Sequence, residues 1–133
     1  FCHIVDDYYL QGWLASAKQK DYWKENAPDK LYKYDYIWAL IMHGFSWTFM
    51  IMLPIAFVQQ FNINDLFIIV FIWNLIVHCY IDNAKANEKI INLWIDQLIH
   101  IIQIFTQFIC AFFTMIFPKT NKNTPPIRKG ILF

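Results

Sequence analysis

The chain has 133 residues, of which 58% are hydrophobic and 16% are charged, and its formal net charge is +1 at pH 7. Soluble domains carry about 25% charged residues, so the composition argues against both disorder and a water-soluble globule. The small net charge offers no basic surface for nucleic acid. Three cysteines without framework spacing predict no disulfide scaffold.

The N-terminal segment, residues 1–18, is predicted as a first helix although it carries acidic residues. His3, Asp7 and Gln11 follow one another at intervals of four, which places them on one stripe of a helix. Asp6 points away from that stripe and is expected at the membrane interface. The segment fits a signal peptide poorly, because charges stand where the apolar core of such a peptide would be.

Three further segments are long and apolar enough to cross a bilayer, which requires about 20 mostly apolar residues as a helix. Residues 36–81 contain Asp65 as their only formal charge, and residues 90–118 contain only Asp96. The predicted helices cover residues 36–58, 66–84 and 90–117.

Together with the first helix, these segments predict an all-α, polytopic membrane four-helix bundle over residues 1–118. A basic tail over residues 119–133 follows it. Basic residues in short loops mark the cytoplasmic side of a membrane protein. This rule places loops 18–35 and 83–89 in the cytoplasm and makes the lipid bilayer the first partner of the chain.

All four histidines lie inside the apolar segments, and three of them stand four residues from an aspartate. Ionisable groups at membrane depth are expensive, so they indicate function by default. Counted from the loop lysines, these side chains lie at one depth, which predicts a metal site for one or two ions. Zinc is favoured, and iron or manganese also suits imidazole and carboxylate ligands. The candidate ligands are His3, Asp7, His43, His78, Asp82, Asp96 and His100.

The same positions resemble the motifs of a family of small integral membrane proteins from bacteria and tailed bacteriophages, whose function is unknown. The motifs are H-x3-D-x3-Q at residues 3–11, a single histidine at His43, H-x3-D-x2-K at 78–85, and D-Q-x2-H at 96–100. The resemblance covers residues 3 to about 110. It implies a multi-pass protein of the inner membrane of a bacterial host, and it implies no activity.

The first functional hypothesis is a metal-dependent membrane hydrolase that acts on a lipid or lipid-linked substrate. A bound zinc ion lowers the pKa of its water to about 7 and so supplies a nucleophile. Asp7, Asp96 and Gln97 are the candidate catalytic residues, and a carboxylate left free of metal would be the general base. Gln11 and Lys85 are the candidate substrate-binding residues, because Lys85 lies at headgroup level, where it would attract a phosphate.

Two other functions stay open at this stage. The histidines and aspartates could carry a metal ion or protons across the membrane, in which case a cavity open to both sides is expected. Four spans would then need an oligomer to form a pathway. Alternatively, the chain is a non-catalytic anchor or holin-like scaffold in a larger membrane assembly, and its polar core only fixes the packing of the helices.

Overall fold

The computed structural model describes residues 1–116, with side chains described as far as residue 113, and this part of the chain is all-helical. Short elements at the N-terminus precede three long helices. In chain order the elements are α1 (Cys2–Val5), a π-helical turn (Asp6–Leu10), α2 (Leu14–Ala17), α3 (Lys20–Asn26), a 3₁₀ turn (Lys30–Tyr32), α4 (Asp35–Val58), α5 (Asp65–Ala86) and α6 (Leu93–Ile116). The predicted tail over residues 119–133 lies outside the described residues.

Three helices of the described chain are long and apolar enough to cross a membrane. Their mean hydropathy reaches 1.7, 1.7 and 1.4 over the most apolar stretch of each. The prediction of an all-α chain with long apolar helices is thereby confirmed for the described residues. The candidate spans are Lys30–Val58, Asp65–Ala86 and Leu93–Phe113.

Asparagine side chains fix where the last two long helices begin. Asn64 accepts a hydrogen bond from the Phe67 backbone N–H at 2.9 Å, and Asn92 accepts one from Ile95 at 3.0 Å. Each asparagine satisfies a backbone donor that has no partner within its helix. The second cap explains why α6 starts at Leu93 rather than at the predicted residue 90.

The first predicted helix, residues 1–18, is not continuous. Gly12 has a φ of +48°, a left-handed conformation that glycine adopts without steric cost. The chain therefore leaves the π-helical turn after Leu10 and starts α2 anew at Leu14. The resulting short elements pack against α4 and do not form a helix of membrane-spanning length.

The loops at one end of the long helices are tied together by Asn87. Its Oδ1 accepts from the Lys20 backbone N–H at 2.7 Å, and its Nδ2 donates to the Lys18 carbonyl at 3.0 Å. Beside it, the hydrogen bond from the Lys20 ammonium lowers the pKa of the Glu88 carboxyl. We call this end, with Lys18, Lys20, Lys85 and Lys89, the lysine end.

Helices α4 and α5 form the most extensive helix contact of the described fold, and Gly44 lies in a tight part of it. A Cβ atom placed on Gly44 would lie 2.5 Å from the Cys79 Sγ and 3.2 Å from the Leu75 Cδ1. A larger residue at Gly44 therefore requires the side chains of α5, or the helix itself, to shift. Since His78 precedes Cys79, this contact also sets the position of the histidine relative to α4.

Gly44→Ala is therefore expected to destabilise the protein by about 1–3 kcal/mol, the usual cost of overpacking a tight contact. Cys79→Ala removes the overlapping sulfur, so the double variant should recover much of the loss. Thermal unfolding of the detergent-purified variants measures both effects. A Gly44→Ala protein that unfolds at the wild-type temperature would show that the helices are farther apart.

Candidate metal centre

Seven buried or nearly buried ionisable side chains meet at one level of the molecule, close to the lysine end. They come from the N-terminal turns, α4, α5 and α6, and we call them the polar cluster. Spacing by four residues places the members from one helix on the same buried face, as the sequence predicts. The members are His3, Asp7, His43, His78, Asp82, Asp96 and His100.

Two groups within this cluster could hold a metal ion, and His78 belongs to both. The first group consists of Asp7, His43 and His78. The Nε2 atoms of the two histidines lie 3.1 Å apart, and the Asp7 Oδ1 lies 3.7 Å from the His43 Nε2. This Asp7 oxygen is buried without a hydrogen-bond partner among the described residues.

The second group consists of His78, Asp82 and His100. The Asp82 Oδ1 lies 3.4 Å from the His100 Nε2, while the Asp82 Oδ2 lies 3.9 Å from the His78 Nε2. Asp96 adjoins this group, with its Oδ1 also 3.4 Å from the His100 Nε2. The site therefore extends from α5 to α6 through His100.

These separations fit a metal ion of ordinary size. A tetrahedral zinc ion with ligands at 2.0–2.2 Å holds its donor atoms about 3.3–3.6 Å apart. The distances between neighbouring donor atoms in the two groups, 3.1–3.9 Å, lie around that value. The donors are imidazole nitrogens and carboxylate oxygens, which suit zinc, iron or manganese.

A ladder of amide side chains shows that the Nδ1 atom of the His100 ring carries a hydrogen. The Gln103 Nε2 donates to the Asn74 backbone carbonyl, which can only accept, so the Gln103 Oε1 must face the His100 Nδ1 at 3.1 Å. The Nδ1 atom therefore carries the hydrogen. Asn74 is oriented in the same way, because its Nδ2 donates to the Val70 carbonyl and to Gln107. When the ring is neutral, the His100 Nε2 is consequently the nitrogen that carries the lone pair.

His3 lies beside the two groups rather than within them. The Trp47 indole N–H donates to its Nδ1 at 2.7 Å, so that atom must carry a lone pair. The Nε2 atom then carries the hydrogen and donates to the Gln97 Oε1 at 3.1 Å. Both ring nitrogens are thus occupied, and the ligand role that the sequence suggests for His3 has no free atom to serve it here.

Gln97 connects His3 to Asp96. While its Oε1 accepts from His3, its Nε2 donates to the Asp96 Oδ2 at 3.2 Å. Gln97 thus contacts two members of the polar cluster, and its catalytic role stays a prediction.

Two lysines reach the carboxylates of the cluster from the lysine end. The Lys18 Nζ lies 2.5 Å from the Asp82 Oδ2, and the Lys85 Nζ lies 2.6 Å from the Asp96 Oδ2. Sequence reasoning singled out Lys85 and missed Lys18. No local pattern marks Lys18, because its partner Asp82 lies 64 positions away in the chain.

The position predicted for Asp6 is wrong. This residue was expected at the interface, yet it is fully buried and accepts a hydrogen bond from the Ser46 hydroxyl. The π-helical turn that begins at Asp6 rotates the carboxylate toward α4. The sequence interpretation did not include Ser46 on α4 as a hydrogen-bond partner of Asp6.

A cavity of about 100 Å³ lies between the polar cluster and the lysine end. Asp7 and Asp82 line it on the cluster side, and Lys18, Lys85 and Gln11 also line it. The Lys85 side chain is about one-third exposed, at 34%, so the cavity communicates with the surface. A small polar or anionic group entering there would meet the carboxylates of both metal-binding groups.

On the side away from the lysine end, Trp47, Ile51 and Met52 form a buried apolar core against Phe67 and Ile104. A cavity of about 20 Å³ lies beyond them, which has room for about one water molecule. A larger cavity, of about 810 Å³, is lined by His3 and Gln97. The polar cluster is therefore approached both from the lysine end and from the side of His3.

Comparison of the chain with protein-family models, curated proteins and solved structures gives no match. The resemblance to the bacterial and phage family consequently stays a prediction, and the interpretation of the site rests on its geometry.

Proposed function

We propose that the protein is a metal-dependent membrane hydrolase that acts on a lipid or lipid-linked substrate. The observation that carries this proposal is the cavity at the lysine end, which joins metal-binding carboxylates to two ammonium groups. A hydrolase needs a metal-activated water next to a place for the substrate. The long apolar helices would keep both at the edge of the bilayer.

The proposed roles follow from the contacts of each side chain. His43, His78, His100 and Asp82 are the proposed metal ligands, because neighbouring donor atoms among them lie 3.1–3.9 Å apart. Asp7 lines the cavity and has one oxygen without a partner in the described structure, so it is the candidate general base. Bound metal would supply an activated water at neutral pH.

The substrate is proposed to carry a phosphate in its headgroup. Lys18 and Lys85 place two ammonium groups beside the cavity, and ammonium groups bind phosphate through charge-assisted hydrogen bonds. Gln11 lines the same cavity and holds the N-terminal turn by donating to the Asp7 carbonyl at 2.6 Å. The acyl or prenyl chains would remain in the bilayer alongside the exposed apolar faces of the helices.

Transport is the less favoured alternative. A pathway across the membrane needs access from both sides. On the side away from the lysine end, Trp47, Ile51 and Met52 form a buried apolar core. The amides of Asn74, Gln103 and Gln107 also lie on that side, but amides do not take up or release protons at neutral pH. This arrangement favours an enzyme.

Hydrolysis is tested with detergent micelles that contain short-chain phosphatidic acid or a prenyl diphosphate, by measuring released inorganic phosphate. Lys85→Met should raise KM, and the matched change Lys89→Met should not, because the Lys89 side chain is 74% exposed and pairs with Asp21 at the surface. Chelation should abolish release and added zinc or manganese should restore it. Metal-bound protein that releases no phosphate from either substrate, while moving ions into liposomes, would overturn the hydrolase in favour of transport.

The amide ladder gives a more local prediction. Gln103→Leu removes the acceptor of the His100 Nδ1–H, so the ring is free to rotate and metal affinity should fall about 10–100-fold. Gln107→Leu is the matched control, because it removes the hydrogen bond between Asn74 and Gln107 and leaves the one between Gln103 and the His100 ring in place. Competition with a fluorescent zinc chelator measures both affinities. Equal affinities in the two variants would show that Gln103 does not position His100.

A further inference from the structure

We propose that the centre is binuclear, with Asp82 bridging two divalent metal ions, an inference that rests on the metal centre proposed above. The two oxygens of Asp82 face different sets of donor atoms. The Oδ2 atom lies 3.2 Å from the His43 Nε2, on the α4 side, whereas the Oδ1 atom lies 3.4 Å from the His100 Nε2, on α6. Carboxylates with this arrangement join the two ions of two-metal sites, which lie about 3.5–4 Å apart.

The first ion is held by His43, His78 and the Asp82 Oδ2, an oxygen that also accepts a hydrogen bond from the Lys18 ammonium. Their three donor atoms form a triangle with sides of 3.1, 3.2 and 3.9 Å. Three protein ligands leave a fourth position for water, as in catalytic zinc sites. The Asp7 Oδ1, 3.7 Å from the His43 Nε2, borders this set and can receive a proton from that water.

The second ion is held by His100, Asp96 and the Asp82 Oδ1. The His100 Nε2 and the Asp96 Oδ1 are fully buried and have no hydrogen-bond partner among the described residues. Gln103 fixes the hydrogen of His100 on Nδ1. A lone pair on Nε2 would therefore face two carboxylate oxygens at 3.4 Å. A lone pair and a carboxylate oxygen at this distance in a buried site repel each other unless a cation lies between them.

A proton is the other cation that fits the second position. A protonated His100 would share one N–H between Asp82 and Asp96 and would leave only the first ion. The two occupants differ in stoichiometry, in magnetism and in their response to Asp96→Asn. Measurements of these properties can therefore distinguish a binuclear centre from a mononuclear centre with an imidazolium beside it.

The test uses the full chain in detergent, freed of metal by a chelator, repurified and titrated with Mn²⁺ under electron paramagnetic resonance. We expect two equivalents to bind and the spectrum to show exchange coupling between the ions. Asp96→Asn should reduce binding to one equivalent with the hyperfine pattern of an isolated ion. Its fold should survive, because the Lys85 ammonium that loses its partner can reach water. Asp65→Asn, at the start of α5 and away from the cluster, is the matched control and should still bind two.

The other outcomes of this titration separate the binuclear centre, the Asp82 bridge and the metal centre as a whole. One equivalent in the wild type overturns the binuclear centre and leaves the metal centre standing. Two equivalents without coupling overturn the Asp82 bridge. No bound manganese and no bound zinc in folded protein overturns both. Thermal unfolding of each variant confirms that a lost equivalent reflects a lost ligand rather than a lost fold.

Discussion

Asp82→Asn is expected to cause the largest combined loss of folding stability and metal binding of any single change in the polar cluster. The Asp82 carboxylate pairs with the Lys18 ammonium at 2.5 Å, and the Lys18 side chain is only 12% exposed. Removing one partner of a buried ion pair leaves the other charge uncompensated, which costs about 3–5 kcal/mol. The same change removes the carboxylate that faces both His43 and His100. Chemical denaturation and metal titration measure the two effects separately.

A second substitution separates stability from metal binding. Lys18→Met keeps most of the length of the side chain and removes its charge, so Asp82→Asn combined with Lys18→Met should regain most of the lost stability. Metal binding should remain absent in the double variant, since no carboxylate returns. A double variant that recovers both properties would mean that Asp82 serves only as the partner of Lys18.

His78→Gln is expected to abolish metal binding while leaving the fold largely intact. His78 belongs to both metal-binding groups and is fully buried. Loss of an outer-shell partner costs about 10–100-fold in affinity, so loss of this ligand should cost more than about 100-fold, with a parallel loss of hydrolysis. Glutamine is polar and of similar size, and Trp47, which stacks on the ring at 4.2 Å, can still pack against it.

His3→Gln is the matched control for His78→Gln. His3 is a buried histidine of the same cluster, but both of its ring nitrogens are occupied by Trp47 and Gln97. We expect metal affinity to stay within a few-fold of wild type. Stability should fall by about 1–3 kcal/mol, the cost of leaving a buried donor unpaired. Equal loss of metal in the two variants would make His3 a ligand, as its spacing from Asp7 first suggested.

The long helices and much of the cluster could be predicted from the sequence because both depend on local order. The near absence of charge between residues 36 and 81 is enough to define two apolar helices. A spacing of four residues is enough to put His78 with Asp82, and Asp96 with His100, on one face. The burial of these ionisable side chains could also be predicted, because exposing them to lipid is energetically costly.

The remaining features depend on contacts between distant parts of the chain. The break at Gly12 requires a positive φ that the surrounding helical pattern does not reveal. The pairing of Lys18 with Asp82 joins residues 64 positions apart. The assignment of the His100 tautomer needs the direction of the Gln103 amide, which the Asn74 carbonyl decides. None of these is encoded in the spacing of residues along one helix.

The most direct measurement is the metal content of detergent-purified protein, prepared without chelator and analysed by mass spectrometry for wild type, His78→Gln and His3→Gln. We expect about two equivalents of zinc, iron or manganese in the wild type and in His3→Gln, as a two-metal site requires. The metal should be missing from His78→Gln. Folded wild-type protein that contains no metal, and takes up none when zinc or manganese is added, would contradict the account and leave the polar cluster as a hydrogen-bonded network.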